Sequence, residues 1–125
     1  MLLGKSVLLV CALIFIGYGL VSLASPAIPA GFAGLIMGNG DAFTEIGAMY
    51  GGLQTGAGLF CALALFKPEF YRSGLAFLVI AIGTLTLARL ASLLLAPDPV
   101  TAYSYGALIY EFATTLAAAT ALLRK

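Results

Sequence analysis

Four long apolar segments constrain this sequence more than any other feature. A helix that rises 1.5 Å per residue needs about 20 mostly apolar residues to cross a bilayer. The sequence of 125 residues contains four such segments, which we place at about residues 6–24, 44–66, 73–96 and 102–123. They predict an all-α, polytopic membrane protein in which a single domain, residues 1–125, forms a bundle of four transmembrane helices.

The composition supports this class and excludes several others. Hydrophobic residues make up 62% of the chain and charged residues 9%, whereas a soluble domain has about 45–50% apolar and about 25% charged residues. The net charge is +1 and no run of basic residues occurs, so we predict no nucleic-acid partner. The sequence has no His and no C-x-x-C pair. We therefore predict no cofactor and no metal site, and no catalytic triad that uses His.

The connection between the first and second spans is long and itself apolar. Within residues 25–43, Phe32, Leu35 and Ile36 follow the spacing i, i+3, i+4. This spacing is typical of one face of a helix. We predict a short interfacial helix that lies on the outer membrane surface between the first two transmembrane helices.

Turn and capping residues predict where two of the spans begin. Asn39-Gly40 is a turn signal, and Asp41 follows it as a candidate first residue of the second span. Asp98-Pro99 precedes the fourth span. Asp is a good N-cap and Pro suits the first helical position, so the fourth helix is predicted to begin at about Pro99 or at about Ala102.

The basic residues outside the spans predict an orientation. They flank one side only: Lys5, Lys67, Arg72, Arg124 and Lys125. The connections at residues 25–43 and 97–101 contain no Lys or Arg. Because cytoplasmic connections carry the excess of Lys and Arg, both termini are predicted to be cytoplasmic.

The second span is rich in small residues at a spacing of four. Close backbone approach drives helix association in lipid, and Gly permits it. Two faces of the span carry such positions, so we predict a central helix that packs on more than one neighbour. The packing residues are Gly47, Gly51, Gly52 and Gly56.

Three ionisable residues lie within the spans or at their edge. They are Glu45, Arg89 and Glu111, each on a different helix. In the predicted orientation, Arg89 lies about 10 Å and Glu111 about 14–18 Å below the outer ends of their helices, and Glu45 lies at the outer edge. Charges at such depths are costly and are usually paired or functional. Their convergence in the outer half is the strongest functional signal in the chain.

Further polar side chains extend this cluster. Thr86 and Ser92 share the helix face of Arg89. Other polar residues fall at similar heights on the remaining helices: Tyr18, Tyr50, Gln54 and Tyr110. We predict a polar pocket in which Arg89 pairs with Glu111, with Glu45, or with both. Two interpretations stay open, a ligand or ion site and a buried ion pair that only sets the helix register.

The segment at residues 45–60, together with Arg89 and Glu111, resembles a known family. Its most specific part is Glu45-x-x-Ala48-x-Tyr50-Gly51-Gly52. The chain resembles the bacterial four-helix membrane proteins classified as domain of unknown function 4345, over nearly its whole length. The resemblance implies a four-helix fold in the bacterial inner membrane and implies no activity. A weaker similarity, in size and layout, links the chain to DoxX-like membrane proteins.

Three classes of function are compatible with these observations. The favoured class is a non-enzymatic membrane protein that binds a small amphipathic ligand in an outward-facing pocket, or an accessory subunit of a membrane complex. Its expected partners are membrane lipid, that ligand, and a second copy or a larger complex. The first alternative is a proton-coupled transporter or channel that uses Glu111 and Arg89. The second is an isomerase-like enzyme with Glu45 and Glu111 as acid and base.

Overall fold

A computed structural model of the protein describes residues 1–124, and these contain helices and no β-strand. The all-α prediction is therefore confirmed. Four helices are long and apolar enough to cross a membrane, which indicates a membrane protein. They are α1 (Leu2–Ala24), α3 (Gly40–Phe66), α4 (Pro68–Leu95) and α5 (Ala102–Leu123), and the short helix α2 (Ala27–Ala33) lies between the first two.

Three of these helices begin before the apolar segments that predict them. α1 begins at Leu2 rather than Ser6, α3 at Gly40 rather than Thr44, and α4 at Pro68 rather than Ser73. Hydropathy locates the part of a helix that a bilayer can solvate. The helix itself continues for about another turn through segments that contain the charged residues Lys5, Asp41 and Arg72, because each helical turn pairs its own backbone groups.

The start of α3 is set by Asn39 and not by Asp41. The backbone of Asn39 is extended, and its side-chain oxygen accepts a hydrogen bond from the N–H of Ala42 at 2.9 Å. The helix therefore begins at Gly40. Asp41 lies in the first turn, where its carboxylate is close to the positive end of the helix dipole.

Of the two starts that the sequence left open for α5, the structure has Ala102 and not Pro99. The N-cap residue is Thr101, and among the described residues no side chain caps the helix. Asp98 lies three residues before the N-cap, too early in the chain for the capping position. A capping residue acts only where the backbone turns into the helix, and the sequence pattern does not locate that turn.

The short helix α2 ends earlier than predicted. Gly34 adopts a positive φ of 74°, a conformation that ends helices and favours Gly. The N–H of Leu35 then bonds back to the carbonyl oxygen of Ala30 at 2.8 Å. Leu35 and Ile36 consequently lie beyond the helix, and the three-residue face predicted with Phe32 is incomplete. The position of α2 at a membrane surface stays a prediction.

The chain divides into two compact units, which we describe separately. The N-terminal unit is Leu9–Ala62, with most of α1 and α3 and all of α2. The C-terminal unit combines Met1–Leu8 with the described residues from Leu63 onwards, including α4 and α5. The prediction of a single domain stays a prediction.

In the N-terminal unit, α1 and α3 run antiparallel and approach closely at glycines. A Cβ atom added to Gly58 would lie 2.7 Å from the backbone nitrogen of Ile16. One added to Gly51 would lie 3.0 Å from the backbone nitrogen of Leu23. Real Cβ atoms do not fit at the first distance, so the absence of a side chain is what allows the two backbones to meet.

The other glycines predicted to pack do not show this close approach. A Cβ at Gly47 would make only an ordinary contact, 3.8 Å from Pro26. Among the described residues, a Cβ at Gly52 or Gly56 would meet nothing within 4 Å, and both glycines are exposed. Each lies on a different side of α3 from Gly51, because neighbouring helical residues are about 100° apart. The packing of α3 on more than one neighbour through two glycine faces stays a prediction.

Two of the long helices contain π-helical segments that the sequence did not predict. One is Gly47–Leu53 in α3 and the other is Leu78–Ile82 in α4. The residues that flank each segment keep right-handed helical dihedral angles, so both helices continue through them. A π segment changes the helical phase of the residues that follow it, and such segments are frequent at functional sites.

In the C-terminal unit, α4 and α5 run antiparallel. A Cβ added to Gly83 would lie 3.3 Å from a methyl carbon of Thr115. Near the start of α4, Nη2 of Arg72 donates a hydrogen bond of 2.9 Å to the carbonyl oxygen of Leu122. The last carbonyls of a helix have no partner within that helix. Arg72 therefore satisfies one of them and attaches the end of α5 to the start of α4.

Candidate functional site

The centre of the candidate site is a pair of opposite charges on α4 and α5. Arg89 lies six residues before the end of α4 at Leu95, and Glu111 lies nine residues after the start of α5 at Ala102. At 1.5 Å per residue these positions are about 9 Å and about 14 Å from the helix ends. Both side chains therefore project from the apolar parts of antiparallel helices.

The two side chains form a bidentate ion pair. Nε of Arg89 donates to Oε1 of Glu111 at 2.8 Å, and Nη2 donates to Oε2 at 2.9 Å. This is one of the pairings that the sequence left open. Parallel hydrogen bonds between the planar guanidinium and carboxylate groups fix both distance and orientation. The pair therefore sets the register of α4 against α5.

The two partners differ in burial. The Glu111 side chain is 8% exposed and the Arg89 side chain is 25% exposed. A buried carboxylate without its counter-charge would be costly, so Glu111 depends on Arg89. Arg89, in contrast, reaches an accessible surface while it holds Glu111.

Hydroxyl groups on both helices are satisfied close to this pair. Thr115 donates its hydroxyl hydrogen to the carbonyl oxygen of Glu111 at 2.9 Å. The buried hydroxyl of Thr86 donates to the carbonyl oxygen of Ile82 at 2.7 Å. Ile82 is the last residue of the π segment in α4. Thr86 and Arg89 follow this π segment in the chain. The segment changes the direction in which later side chains leave the helix, and it therefore contributes to the direction of Thr86 and Arg89.

An open cleft of about 400 Å³ lies next to Arg89. Its polar lining residues are Arg89, Ser92 and Ser104, and its other lining residues have apolar side chains. Glu111 does not line it. The lining residues come from α4, the connection that follows it, and the first turn of α5: Leu85, Ala88, Arg89, Ser92, Leu93, Ala96, Val100 and Ser104.

Part of this lining was missed from the sequence. Ser92 was placed on the face of Arg89, but Ser104 and the apolar walls were not singled out. A signal for Ser104 exists, because it lies seven residues before Glu111 and therefore on nearly the same face of α5. The cleft itself depends on how α4 and α5 diverge at the Pro97-containing connection, which no local pattern reports.

The remaining predicted site residues lie elsewhere. Tyr110 is half-buried and precedes Glu111 on α5. Tyr18, Glu45, Tyr50 and Gln54 belong to the N-terminal unit. Glu45 is exposed in α3, whereas Tyr50 is half-buried within the π segment. The convergence of these four residues on Arg89 stays a prediction.

The N-terminal unit contains one polar group that the sequence did not reveal. Ser22 on α1 is 0% exposed, and among the described residues its hydroxyl has no hydrogen-bond partner. The hydroxyls of four helical threonines do have one: Thr44, Thr55, Thr86 and Thr115. The hydroxyl of Thr55, for example, donates to the carbonyl oxygen of Gly51 at 2.6 Å. Buried polar groups are normally satisfied, so Ser22 is an exception.

Cysteine and carboxylate groups offer little else for chemistry. Cys11 and Cys61 are both buried, and no disulfide bond joins them. Within residues 1–124, no three His, Cys, Asp or Glu side chains come together in a way that could hold a metal ion. The chemistry that the site carries is hydrogen bonding and charge pairing by Arg89 and Glu111.

Comparison with known proteins relates the chain to one family. A family model described as "Domain of unknown function (DUF4345)" matches residues 4–122, which include nearly all of the five helices and both members of the ion pair. No curated protein and no solved structure matches the chain significantly. The likeness to DoxX-like membrane proteins is not shown by these comparisons. Because the family model covers almost the whole chain, the protein belongs to the family described as domain of unknown function DUF4345.

Proposed function

We propose that this protein is an integral membrane protein that holds a small amphipathic molecule in the cleft beside Arg89. The observation that carries the proposal is the composition of the cleft: an arginine and two serines among residues with apolar side chains. Sites for small molecules commonly have volumes of about 300–1,000 Å³ and combine apolar walls with a few oriented polar groups. The cleft of about 400 Å³ lies at the lower end of that range.

The asymmetric burial of the ion pair favours a binding role over a purely structural one. A pair that only sets the register gains nothing from exposing either partner. Here Glu111 is withdrawn and Arg89 is a quarter exposed and lines the cleft. Glu111 thus acts as the support that holds the guanidinium in one orientation, and Arg89 provides the binding group.

The distribution of basic residues supports a location in the bacterial inner membrane with both termini in the cytoplasm. In this orientation the connection after α4, and with it the cleft, faces outward. A phosphatase reporter that is active only outside the cytoplasm tests the orientation. Fused after Asp98 it should be active, and fused to the C-terminus it should be inactive. The opposite pattern would reverse the proposed orientation.

Transport driven by Glu111 is less well supported than binding. A carboxylate that loads and releases protons must exchange with water during each cycle. Glu111 is largely buried and engages both of its oxygens with Arg89. The same geometry disfavours Glu111 as the acid or base of an enzyme, because a substrate would first have to displace Arg89.

Two alanines on α4 provide a matched test of the binding proposal. Ala88 lines the cleft, whereas Ala91 is exposed and lies outside the lining. Ala88→Leu should fill the cleft, and Ala91→Leu adds the same atoms elsewhere on the same helix. Neither change touches the ion pair, so both variants should fold.

The measurement is native mass spectrometry of protein released gently from its own membrane. The wild type and Ala91→Leu should carry a discrete extra mass, and Ala88→Leu should lose it. A bare wild-type chain, or an extra mass that survives Ala88→Leu, would contradict the proposal. A chain that carries no small molecule but is bound to a second protein of defined mass would instead make this protein an accessory subunit.

A further inference from the structure

We propose that one end of the C-terminal unit binds the headgroup of an anionic phospholipid. At this end, which we call the basic end, α1 and α4 begin and α5 ends. Its basic residues are Lys5, Lys67, Arg72 and Arg124. The cleft lies at the opposite end of α4 and α5, so this proposal does not depend on the function proposed for the cleft.

Contacts within the C-terminal unit bring the three helix ends together. A Cβ atom added to Gly4 would lie 2.7 Å from Cζ of Tyr71, so the first turn of α1 lies against the start of α4. The next residue, Arg72, donates its hydrogen bond to the carbonyl oxygen of Leu122, and the end of α5 therefore lies there too. Basic residues that are far apart in the sequence are thus gathered at one end of the unit.

The basic end carries an excess of positive charge. All four basic side chains are exposed, and Glu69 is the one carboxylate among the described residues of residues 1–8, 67–72 and 122–124. Within residues 1–124, no ion pair joins Glu69 to any of the four. The hydrogen bond of Arg72 leads to a neutral carbonyl group, which leaves the charge of the guanidinium uncompensated.

The other carboxylates of the C-terminal unit do not balance this charge. Glu111 pairs with Arg89 in the apolar part of the helices. Asp98 lies in the connection between α4 and α5, at the end of the unit where the cleft is. An anion that comes from outside the chain is therefore the group that best complements the basic end.

Exposed apolar side chains at the same end favour a lipid over a soluble anion. Leu2, Phe66 and Leu123 are next to or near the basic residues in the chain, and they are 82%, 76% and 82% exposed. A phospholipid can place its phosphate among the cations and its acyl chains along these side chains. A free phosphate or an acidic peptide can use the cations alone. Lys and Arg close to a membrane surface are attracted to anionic lipids in this way.

The arrangement of the basic residues adds to what their number predicts. The orientation rule counts Lys and Arg in each connection and makes no statement about how connections lie relative to one another. Here the structure joins basic residues from the starts of two helices and the end of a third. Several charges can therefore act on one headgroup.

Two phospholipids with identical acyl chains test the proposal: phosphatidylglycerol, which has a net negative charge, and phosphatidylcholine, which has none. The intact chain is solubilised in a neutral detergent with equal amounts of both lipids, and native mass spectrometry measures which lipid it retains. The wild type should retain phosphatidylglycerol roughly tenfold better. Added salt should reduce this preference, because it screens exposed charges.

Lys67→Gln and Thr101→Asp form a matched pair of variants. Each lowers the net charge by the same amount, the first at the basic end and the second at the exposed N-cap of α5. The N-cap is about 33 Å from the basic end at 1.5 Å per residue, well beyond the screening length of about 8 Å at physiological ionic strength. Lys67→Gln should reduce retention of phosphatidylglycerol roughly fivefold, whereas Thr101→Asp should leave it unchanged.

Both variants should fold. Lys67 is exposed and forms no ion pair within residues 1–124, and Asp is a good N-cap residue. Ala88→Leu, which fills the cleft, should keep the wild-type preference for phosphatidylglycerol. The failure of either proposal is therefore visible without the other.

Several results would overturn the proposal. Equal retention of the two lipids by the wild type would show that the basic end does not select an anionic headgroup. An equal loss in Lys67→Gln and Thr101→Asp would show that net charge alone attracts the lipid, and a loss in Ala88→Leu would place the lipid in the cleft. Displacement of the lipid by glycerol phosphate or by a polyglutamate peptide, at constant ionic strength, would assign the basic end to a soluble anion or to an acidic protein.

Discussion

Close glycine contacts occur in both compact units, and the C-terminal unit adds an ion pair between two of its helices. In the N-terminal unit, α1 and α3 meet where glycines remove the side chain, as at Gly58 against Ile16. In the C-terminal unit, α4 and α5 meet through a bidentate pair between Arg89 and Glu111. The first contact consists of backbone approach and dispersion, and the second consists of two charged hydrogen bonds.

The glycine contact and the ion pair are two ways to hold helices together in a membrane. Lipid chains are as apolar as leucine, so apolar burial gives little attraction between helices in a membrane. Glycine contacts supply attraction through close packing and are sensitive to added volume. A buried ion pair supplies it through charge and is sensitive to the loss of one partner. The glycine contact is suited to structure alone, whereas the ion pair also leaves a polar group at the edge of a cleft.

Removal of one charge should have the largest effect. Arg89→Ala leaves the Glu111 carboxylate buried without its partner, and we expect the free energy of unfolding to fall by about 3–5 kcal/mol. Replacement of both residues, Arg89→Met with Glu111→Leu, should recover most of this loss because no charge is left unpaired. Unfolding in mixed micelles, followed by circular dichroism, measures both values.

A double variant as unstable as Arg89→Ala would show that the charge pair is not what joins α4 to α5. Loss of the ligand mass in a stable double variant would agree with the binding role of Arg89. The two readouts thus separate the structural contribution of the pair from its contribution to the cleft.

Added volume in the glycine contact should have an intermediate effect. Gly58→Ala places a methyl group 2.6 Å from a side-chain carbon of Ile16 and 2.7 Å from its backbone nitrogen. We expect a loss of about 1–3 kcal/mol, typical of an overpacked interior. Gly56→Ala is the matched control, because a Cβ there meets nothing within 4 Å. It should be neutral or more stable by up to about 1 kcal/mol, since Ala favours helix.

The same unfolding assay applies to these two glycines. Equal stability of Gly58→Ala and Gly56→Ala would mean that α1 and α3 can separate without cost, and the contrast between the two units would then fail. A large loss in Gly56→Ala would reveal a packed neighbour on the face of α3 that is exposed in the described residues.

Removal of a buried hydroxyl should have the smallest effect and should differ between the units. Within residues 1–124 the buried hydroxyl of Ser22 has no hydrogen-bond partner, so Ser22→Ala should leave stability unchanged or slightly higher. Thr86→Val removes a hydroxyl that donates to the carbonyl oxygen of Ile82, and it should lower stability by up to about 1 kcal/mol. A marked loss in Ser22→Ala would instead show that Ser22 binds a polar group in the membrane.

Several features of the molecule follow directly from its sequence. The four long helices are predictable because a bilayer requires about 20 apolar residues in each span. Arg89 and Glu111 stand out because charged residues are rare in such segments. They can therefore be identified from the sequence without knowledge of the fold. Membership in a four-helix family was recognisable from the same residues together with the segment that begins at Glu45.

Other features depend on how the helices meet, and local patterns do not encode that. Gly51, Gly52 and Gly56 look alike in sequence, but only Gly51 approaches α1, because the direction of each residue depends on the phase of α3 through its π segment. The cleft likewise joins Ser92 on α4 to Ser104 on α5 across a connection. The mean hydropathy of a segment is calculated from its residues one by one, and it identifies the segments that form membrane-spanning helices. Contacts between helices depend on the relative rotation and spacing of two backbones, which the three-dimensional fold alone specifies.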